Sequence, residues 1–400
     1  MAAAKRVMVV YGTRPEAIKV APLIKQLEAA PLLTPISVVT GQHREMLDQV
    51  NAIFGIAPDA DFDIMQPGQS LSAVFARVLE KLEPLLVERQ PDALVVQGDT
   101  TTVFAAALAA FHRKIPVVHL EAGLRSHNLH SPFPEEMNRV VTTRLAALHL
   151  APTALSKANL LAEDVDEAKI AVTGNTVIDA LHQVVAMPCD VASRGEHGGR
   201  LPQVLQAVRA GRTQIVLATT HRRENWGEPM GRIGAALAQI AAEFPAKTLV
   251  VPLHRNQQVR EVLRPQLEGV DNVVLTEPLD YPVFSAVMNA AELVVTDSGG
   301  VQEEAPSLGK PVLVLRENTE RPEAVAAGTV KLVGTDTAEI VHWVRQLLTD
   351  QNLYQQMAQA VNPYGDGQAA VRAVAAIAEL LGVGQRLPDF APTAAGNRAE

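Results

Sequence analysis

Four hundred residues are more than one hydrophobic core usually serves, so two domains are expected. With 48% hydrophobic and 20% charged residues, the composition is that of a soluble globular protein. A net charge of −9 argues against nucleic acid or an anionic membrane as the main partner, and Cys189, the only cysteine, excludes an internal disulfide and a cysteine zinc cluster.

The opening Met1-Ala2-Ala3-Ala4-Lys5-Arg6 leads straight into a strand and lacks the apolar core of a signal peptide. No apolar run is long enough to span a bilayer, so the expected location is the cytoplasm with no membrane partner. Arg6 to Tyr11 reads as a buried strand, followed by Gly12-Thr13-Arg14-Pro15 and a helix with Ile18, Ala21, Ile24 and Leu27 on its apolar stripe. A strand over Ile36 to Thr40 and a helix from about Gln42 to Gly55 come next. Ser70 suits the N-cap of a long amphipathic helix carrying Leu71, Val74, Phe75, Val78, Leu79 and Leu82. Strands over Ala93–Gln97 and Pro116–Leu120 end at Gly98-Asp99-Thr100 and Glu121-Ala122-Gly123. A polar loop then delivers Glu135, Glu136 and Arg139 at a helix start, and strands near Leu148 and Lys169 complete a first sheet.

A glycine-rich polar stretch between Met187 and Arg212 separates this half from a second βα series. Its strands are expected at Gln214–Ala218, Thr248–Pro252, Val273–Leu275, Leu293–Thr296 and Val312–Leu315. Alternation of this kind predicts two doubly wound parallel sheets facing a ligand cleft. The expected division is residues 1–178, then 179–365, a helix over 366–383 crossing back to the first domain, and a disordered tail over 384–400.

The densest chemistry lies in Thr296-Asp297-Ser298-Gly299-Gly300-Val301-Gln302-Glu303-Glu304. Glycines without Cβ admit a ligand to the backbone, and the unpaired amides of a helix start favour an anion. Ser298, Gly299 and Gly300 therefore suit a phosphate, with Glu304 one turn deeper to accept from ribose hydroxyls. Asp99, Glu121 and Glu135 fall at one sheet edge, as acid/base chemistry on adjacent sugar carbons requires. Arg14 and Lys19 flank the first helix start, where they would neutralise a diphosphate. His221-Arg222 and His254-Arg255 follow strands of the second half, and Arg316 and Arg321 follow its last. Neither a P-loop nor a GxGxxG after the first strand is present, which argues against ATP hydrolysis and dinucleotide redox chemistry. His43, His112, His119 and His149 show no metal-ligand spacing, and no metal or cofactor is expected.

These segments together resemble the non-hydrolysing UDP-N-acetylglucosamine 2-epimerases. The resemblance runs through Gly12–Lys19, Gly98–Thr102, Glu121–Arg125, Pro134–Arg139, Thr173–Thr176, His221–Asn225, Thr296–Lys310, Thr319–Glu323 and Asn362–Gly367. It implies a glycosyltransferase-B-type fold of two Rossmann-like domains, and a homodimer that interconverts UDP-GlcNAc and UDP-ManNAc as polysaccharide precursors. It further implies catalytic positions at Asp99, Glu121, Glu135 and His221. Uridine would lie near Phe284 and Glu304, and phosphate at Ser298, Gly299, Gly300, Arg14 and Arg321. Lys19, Arg139, Arg222 and His254 complete the expected substrate set. Gln42-His43-Arg44-Glu45 resembles the segment with which some members bind a second, activating UDP-GlcNAc, although Pro67-Gly68 stand where those members carry an Arg before the Gln. A hydrolysing epimerase and a non-catalytic UDP-sugar sensor are the alternatives; a sensor needs the Ser298–Glu304 pocket but not three carboxylates in the other half.

Overall fold

Valine-rich runs without polar alternation make strands buried on both faces, and such strands belong to parallel sheets covered by helices. The computed structural model describes residues 4–41, 44–66, 68–189, 191 and 199–392, with backbone only at residues 44–46. The chain forms two units, Met1–His182 with Tyr364–Ala391, and Gln183–Pro363 with the residues from Pro392.

The first unit holds β1 (Lys5–Tyr11), β2 (Leu33–Val39), β3 (Ala60–Asp61), β4 (Ala93–Gln97), β5 (Val117–Leu120), β6 (Leu148–Ala151) and β7 (Ile170–Val172). They pair in the order β3-β2-β1-β4-β5-β6-β7, all parallel. The order reverses at β1 and β4, and the crevice beyond the carboxyl ends of two such strands is where open α/β sheets bind ligands. The loops issuing there carry Arg14 and Asp99. Buried Ala105, Ala106, Ala107, Ala109 and Ala110 let the helix Thr101–His112 sit close against the sheet. The helix Ala369–Leu380 packs on the helix Arg14–Ala29 of the same unit.

The second unit holds β8 (Ile215–Thr219), β9 (Thr248–Pro252), β10 (Val273–Thr276), β11 (Ala291–Thr296), β12 (Val312–Val314) and β13 (Val330–Leu332). Their order is β10-β9-β8-β11-β12-β13, again all parallel, with the reversal at β8 and β11. Each unit is thus a doubly wound Rossmann-like layer with its own switch point.

One expectation from composition fails. From Gly384 to Phe390 the chain is not disordered but follows β7, an edge strand with unpaired ladder groups. Phe390 N–H donates to Val172 O at 2.7 Å and Val172 N–H donates to Asp389 Oδ1 at 3.0 Å, while the Phe390 ring is 7% exposed. Residues 393–400 lie outside the described residues.

Candidate functional site

At the first switch point, Thr13 caps the helix Arg14–Ala29 in a capping box with Glu16. Glu16 is buried and accepts from Gly12 N–H at 2.7 Å, Thr13 N–H at 2.8 Å and Thr100 Oγ1 at 2.5 Å, which ties the β1 loop to the β4 loop. Arg14, the first residue of that helix, is half-buried and its side chain has no hydrogen-bond or ion-pair partner among the described residues. Lys19, on the same helix, donates to Glu121 Oε1 at 2.5 Å, which sets a cation beside the carboxylate at the β5 edge.

Glu121 directly follows β5 in a left-handed conformation, φ +66°, which turns its buried side chain back over the sheet edge. Besides Lys19 it accepts from Gln97 Nε2 and, at 3.1 Å, from Asn175 Nδ2. Gly123 makes this turn possible: at φ +91° its Cα lies so close to the helix Ala154–Ala162 that a Cβ would stand 2.2 Å from Ser156 O.

Asp99 accepts from Arg139 Nη1 at 2.6 Å, and its backbone carbonyl accepts from Asn138 Nδ2 at 2.8 Å. Burial pushes the Asp99 carboxyl up and Glu121 adds to this, against the downward pull of Arg139 and Lys19. Arg139 is the buried counter-ion of Asp99 and Glu136. Glu136 accepts from Arg139 Nε at 3.0 Å and Nη2 at 2.5 Å, and from the Ser126 and His127 amides, each at 2.9 Å. Burial works against its charge, but these donors hold it below the usual carboxylate range. Glu135 begins the same helix, half-buried, with no side-chain partner among the described residues.

Beneath this group, His119 and His149 pair in register on β5 and β6 and are fully buried. His119 Nε2 bonds Gly98 O at 2.7 Å. Burial pushes His119 down to about 4 and His149 to about 3, from an ordinary 6.5. The unfolded chain therefore binds more protons, and the stability this confers is complete above pH 6.5 and lost as pH falls toward the folded values. Between pH 7 and 5 the loss is about 2 kcal/mol for each ring. Urea unfolding at both pH values should show it, and the pH slope should flatten in a His119→Gln/His149→Gln variant; an equal slope in both proteins counts against buried neutral rings.

At the second switch point, Asp297 follows β11 and is 0% exposed. It accepts from Thr220 Oγ1 at 2.8 Å, the His221 and Arg222 amides at 2.9 Å, Asn225 Nδ2 at 3.0 Å and His221 Nδ1 at 3.1 Å. His221 stacks on His254 with ring centroids 5.6 Å apart. The helix Gly299–Ser307 starts at Ser298, whose hydroxyl does not cap it. A Cβ on Gly299 would stand 3.0 Å from Arg321 Nη1 and 3.3 Å from Arg222 Nη2, so two guanidiniums face the open amides. Arg321 is steadied by Nε donating to Glu303 at 2.7 Å, and Arg222 Nε is buried with no hydrogen-bond partner among the described residues. Open helix amides flanked by two arginines make an anion seat. Beside it, Glu304 is buried, accepts from Tyr281 Oη at 2.9 Å, and approaches Gly300. Phe284 lies in the first turns of the helix Tyr281–Ala290, half-buried, its N–H donating to Asp280 O at 2.8 Å.

Four residues join the site beyond those expected from sequence: Asp297, Glu136, Gln97 and Asn175. Asp297 was visible as the carboxylate before Ser298, but its partner is fixed only once β8 and β11 are known to be neighbours. Gln42, His43 and the Arg44 side chain, where a second nucleotide sugar was expected, lie outside the described residues. Among the described residues no group of three or more His, Cys, Asp or Glu is placed to hold a metal ion, and no helix is long and apolar enough to cross a membrane.

Residues 25–378 match the family model described as UDP-N-acetylglucosamine 2-epimerase. The UDP-N-acetylglucosamine 2-epimerase of Salmonella typhimurium is 51% identical over 372 residues, 93% of this chain and 98% of that protein. The crystal structure of UDP-GlcNAc 2-epimerase from Neisseria meningitidis bound to UDP-GlcNAc is similar at 46% identity and a TM-score of 0.82, over 94% of this chain and 100% of that one. The S. aureus MnaA–UDP co-structure is similar at 44% identity and a TM-score of 0.83, over 97% and 100%.

Proposed function

The chain belongs to the UDP-N-acetylglucosamine 2-epimerase family, and from that premise we propose that it interconverts UDP-GlcNAc and UDP-ManNAc by eliminating UDP and adding it back. The observation that carries the mechanism is the carboxylate cluster beyond β4 and β5: Asp99 and Glu121 held by fixed cationic and amide partners, with Glu135 unpartnered among the described residues. Such a cluster has no purpose in a sensor, and the family assignment favours the non-hydrolysing reaction.

The C2 hydrogen of the sugar is not acidic while C1 is bonded to UDP. As the C1–O bond breaks, its electron pair leaves on the β-phosphate oxygen, and the cationic character at C1 acidifies C2–H. Glu135 takes that proton, the C2–H electrons form the C1–C2 double bond, and 2-acetamidoglucal and UDP result. Asp99, whose burial favours the protonated form, returns a proton to the opposite face of C2. The diphosphate oxygen then re-forms the bond to C1. Glu121, fixed by Lys19, Gln97 and Asn175, orients the sugar. Ser298, Gly299, Gly300, Arg222 and Arg321 hold the diphosphate, His221 and His254 serve its departure, and Glu304 with Phe284 receives the uridine; Arg14 is a further candidate cation for the substrate. No nicotinamide or metal takes part. A cytoplasmic homodimer supplying polysaccharide precursors completes the proposal; exposed Phe111 and Val87, on two helices packed together, support self-association.

Epimerisation in D2O should place deuterium at C2 of the product, read by NMR. Retention of the original hydrogen would point to an oxidised-sugar route, and free ManNAc as the main product would move the protein to the hydrolysing branch.

A further inference from the structure

We propose that Asp297 is a positioning residue that fixes His221 with its proton on Nδ1, leaving Nε2 as the ring atom that meets the departing diphosphate. This rests on the assignment of His221 to that diphosphate and adds the group that prepares it.

Asp297 is 0% exposed and receives only donors: one hydroxyl, two backbone amides, one carboxamide and the His221 ring. An ionised carboxylate is the acceptor-only form that satisfies such a set. Burial alone would push its pKa up, but the His221 ring and the amides hold it below the usual range. A carboxylate that accepts from both the backbone N–H and the Nδ1 of one histidine fixes the ring's position and its tautomer together.

The stacked partner is set the opposite way. Asn256 N–H donates to His254 Nδ1 at 3.2 Å, so neutral His254 carries its proton on Nε2. Burial, together with the charge of His221, pushes His254 down. The two rings, 5.6 Å apart, thus differ in tautomer. The charged and titratable groups around them are Asp297 from the β11 loop, His254 from the β9 loop, Arg222 beside His221, and Arg260 behind His254. In the imidazolium form, His221 Nε2–H then donates a charge-assisted hydrogen bond to the β-phosphate oxygen as negative charge collects there. Asp297 offsets the positive charge this requires.

The test begins on the ligand-free wild-type chain, labelled with 15N-histidine. NMR above the pH at which the rings deprotonate should show His221 protonated at Nδ1 and His254 at Nε2. An Nε2–H tautomer at His221 overturns the proposal. Because no substrate is present, failure of the epimerase assay would sink the functional reading and leave this measurement standing. Kinetics then separate positioning from scaffolding. Asp297→Asn should lower kcat about 100-fold with little change in KM. In a His221→Gln background the same substitution should cost less than about threefold, since a group that acts through the ring has nothing left to act on. Equal losses in both backgrounds would make Asp297 merely a tie between the β8 and β11 loops and would overturn the proposal. Should Asp297→Asn fail to fold, the wild-type tautomers decide alone.

Discussion

Glu135→Gln should lower turnover about 100- to 10,000-fold, the range a general acid/base group typically contributes, while UDP affinity stays within about twofold. The geometry makes this substitution unusually clean. Glu135 has no side-chain partner among the described residues, so the amide breaks no bond and leaves no buried charge uncompensated. Asp99→Asn should lose a similar factor, but it also removes one of the two carboxylates that neutralise Arg139. Glu121→Gln would remove the charged carboxylate that accepts from Lys19 and force an amide against Gln97 and Asn175, so it should destabilise the unit as well. Thermal unfolding therefore sorts the three: Glu135→Gln unchanged, Asp99→Asn slightly lowered, Glu121→Gln lowered most. Single-turnover kinetics and UDP calorimetry complete the measurement. Wild-type turnover in Glu135→Gln would remove it from proton transfer and leave Asp99 as the one candidate base of that group.

What the sequence disclosed follows from what is local. The buried strands, the Ser70 cap and the Ser298-Gly299-Gly300 turn are each written within a few residues, and each is present. Strands β3 and β13, of two and three residues, carry too little pattern to be read and become strands only by pairing with β2 and β12. Partners across the sheet order were equally hidden. Lys19 and Arg139 read from residue type only as cations near a sugar-phosphate pattern; their carboxylate partners Glu121, Asp99 and Glu136 become visible only in the fold. The tail misled for the same reason. Its polar, proline-containing composition predicts disorder, yet an open edge at β7 and one buried phenylalanine hold it as far as Phe390. Charged residues and edges thus read reliably as to chemistry and poorly as to partner.

Arg321→Ala should weaken UDP binding by about 10- to 150-fold, the equivalent of the ~1.5–3 kcal/mol typical of a hydrogen bond to a charged group. Its guanidinium is held over the start of the helix Gly299–Ser307 by Glu303, so it reaches a phosphate with little ordering left to do. Gly299→Ala tests the same seat from the other side. The added methyl would stand 3.0 Å from Arg321 Nη1 and 3.3 Å from Arg222 Nη2, close enough to press both arginine ends outward. These are far ends of flexible side chains, so the fold should survive with its melting temperature nearly unchanged. The methyl also fills the space through which a phosphate approaches the helix amides, so affinity should fall by a similar factor. Combining the two should cost less than the sum of their separate effects, because each already disables the Arg321 contact. Calorimetry with UDP on the three variants decides the matter. Unchanged affinity in both single variants would remove the nucleotide from this helix, and strictly additive losses would mean that Gly299 and Arg321 act on different parts of the ligand.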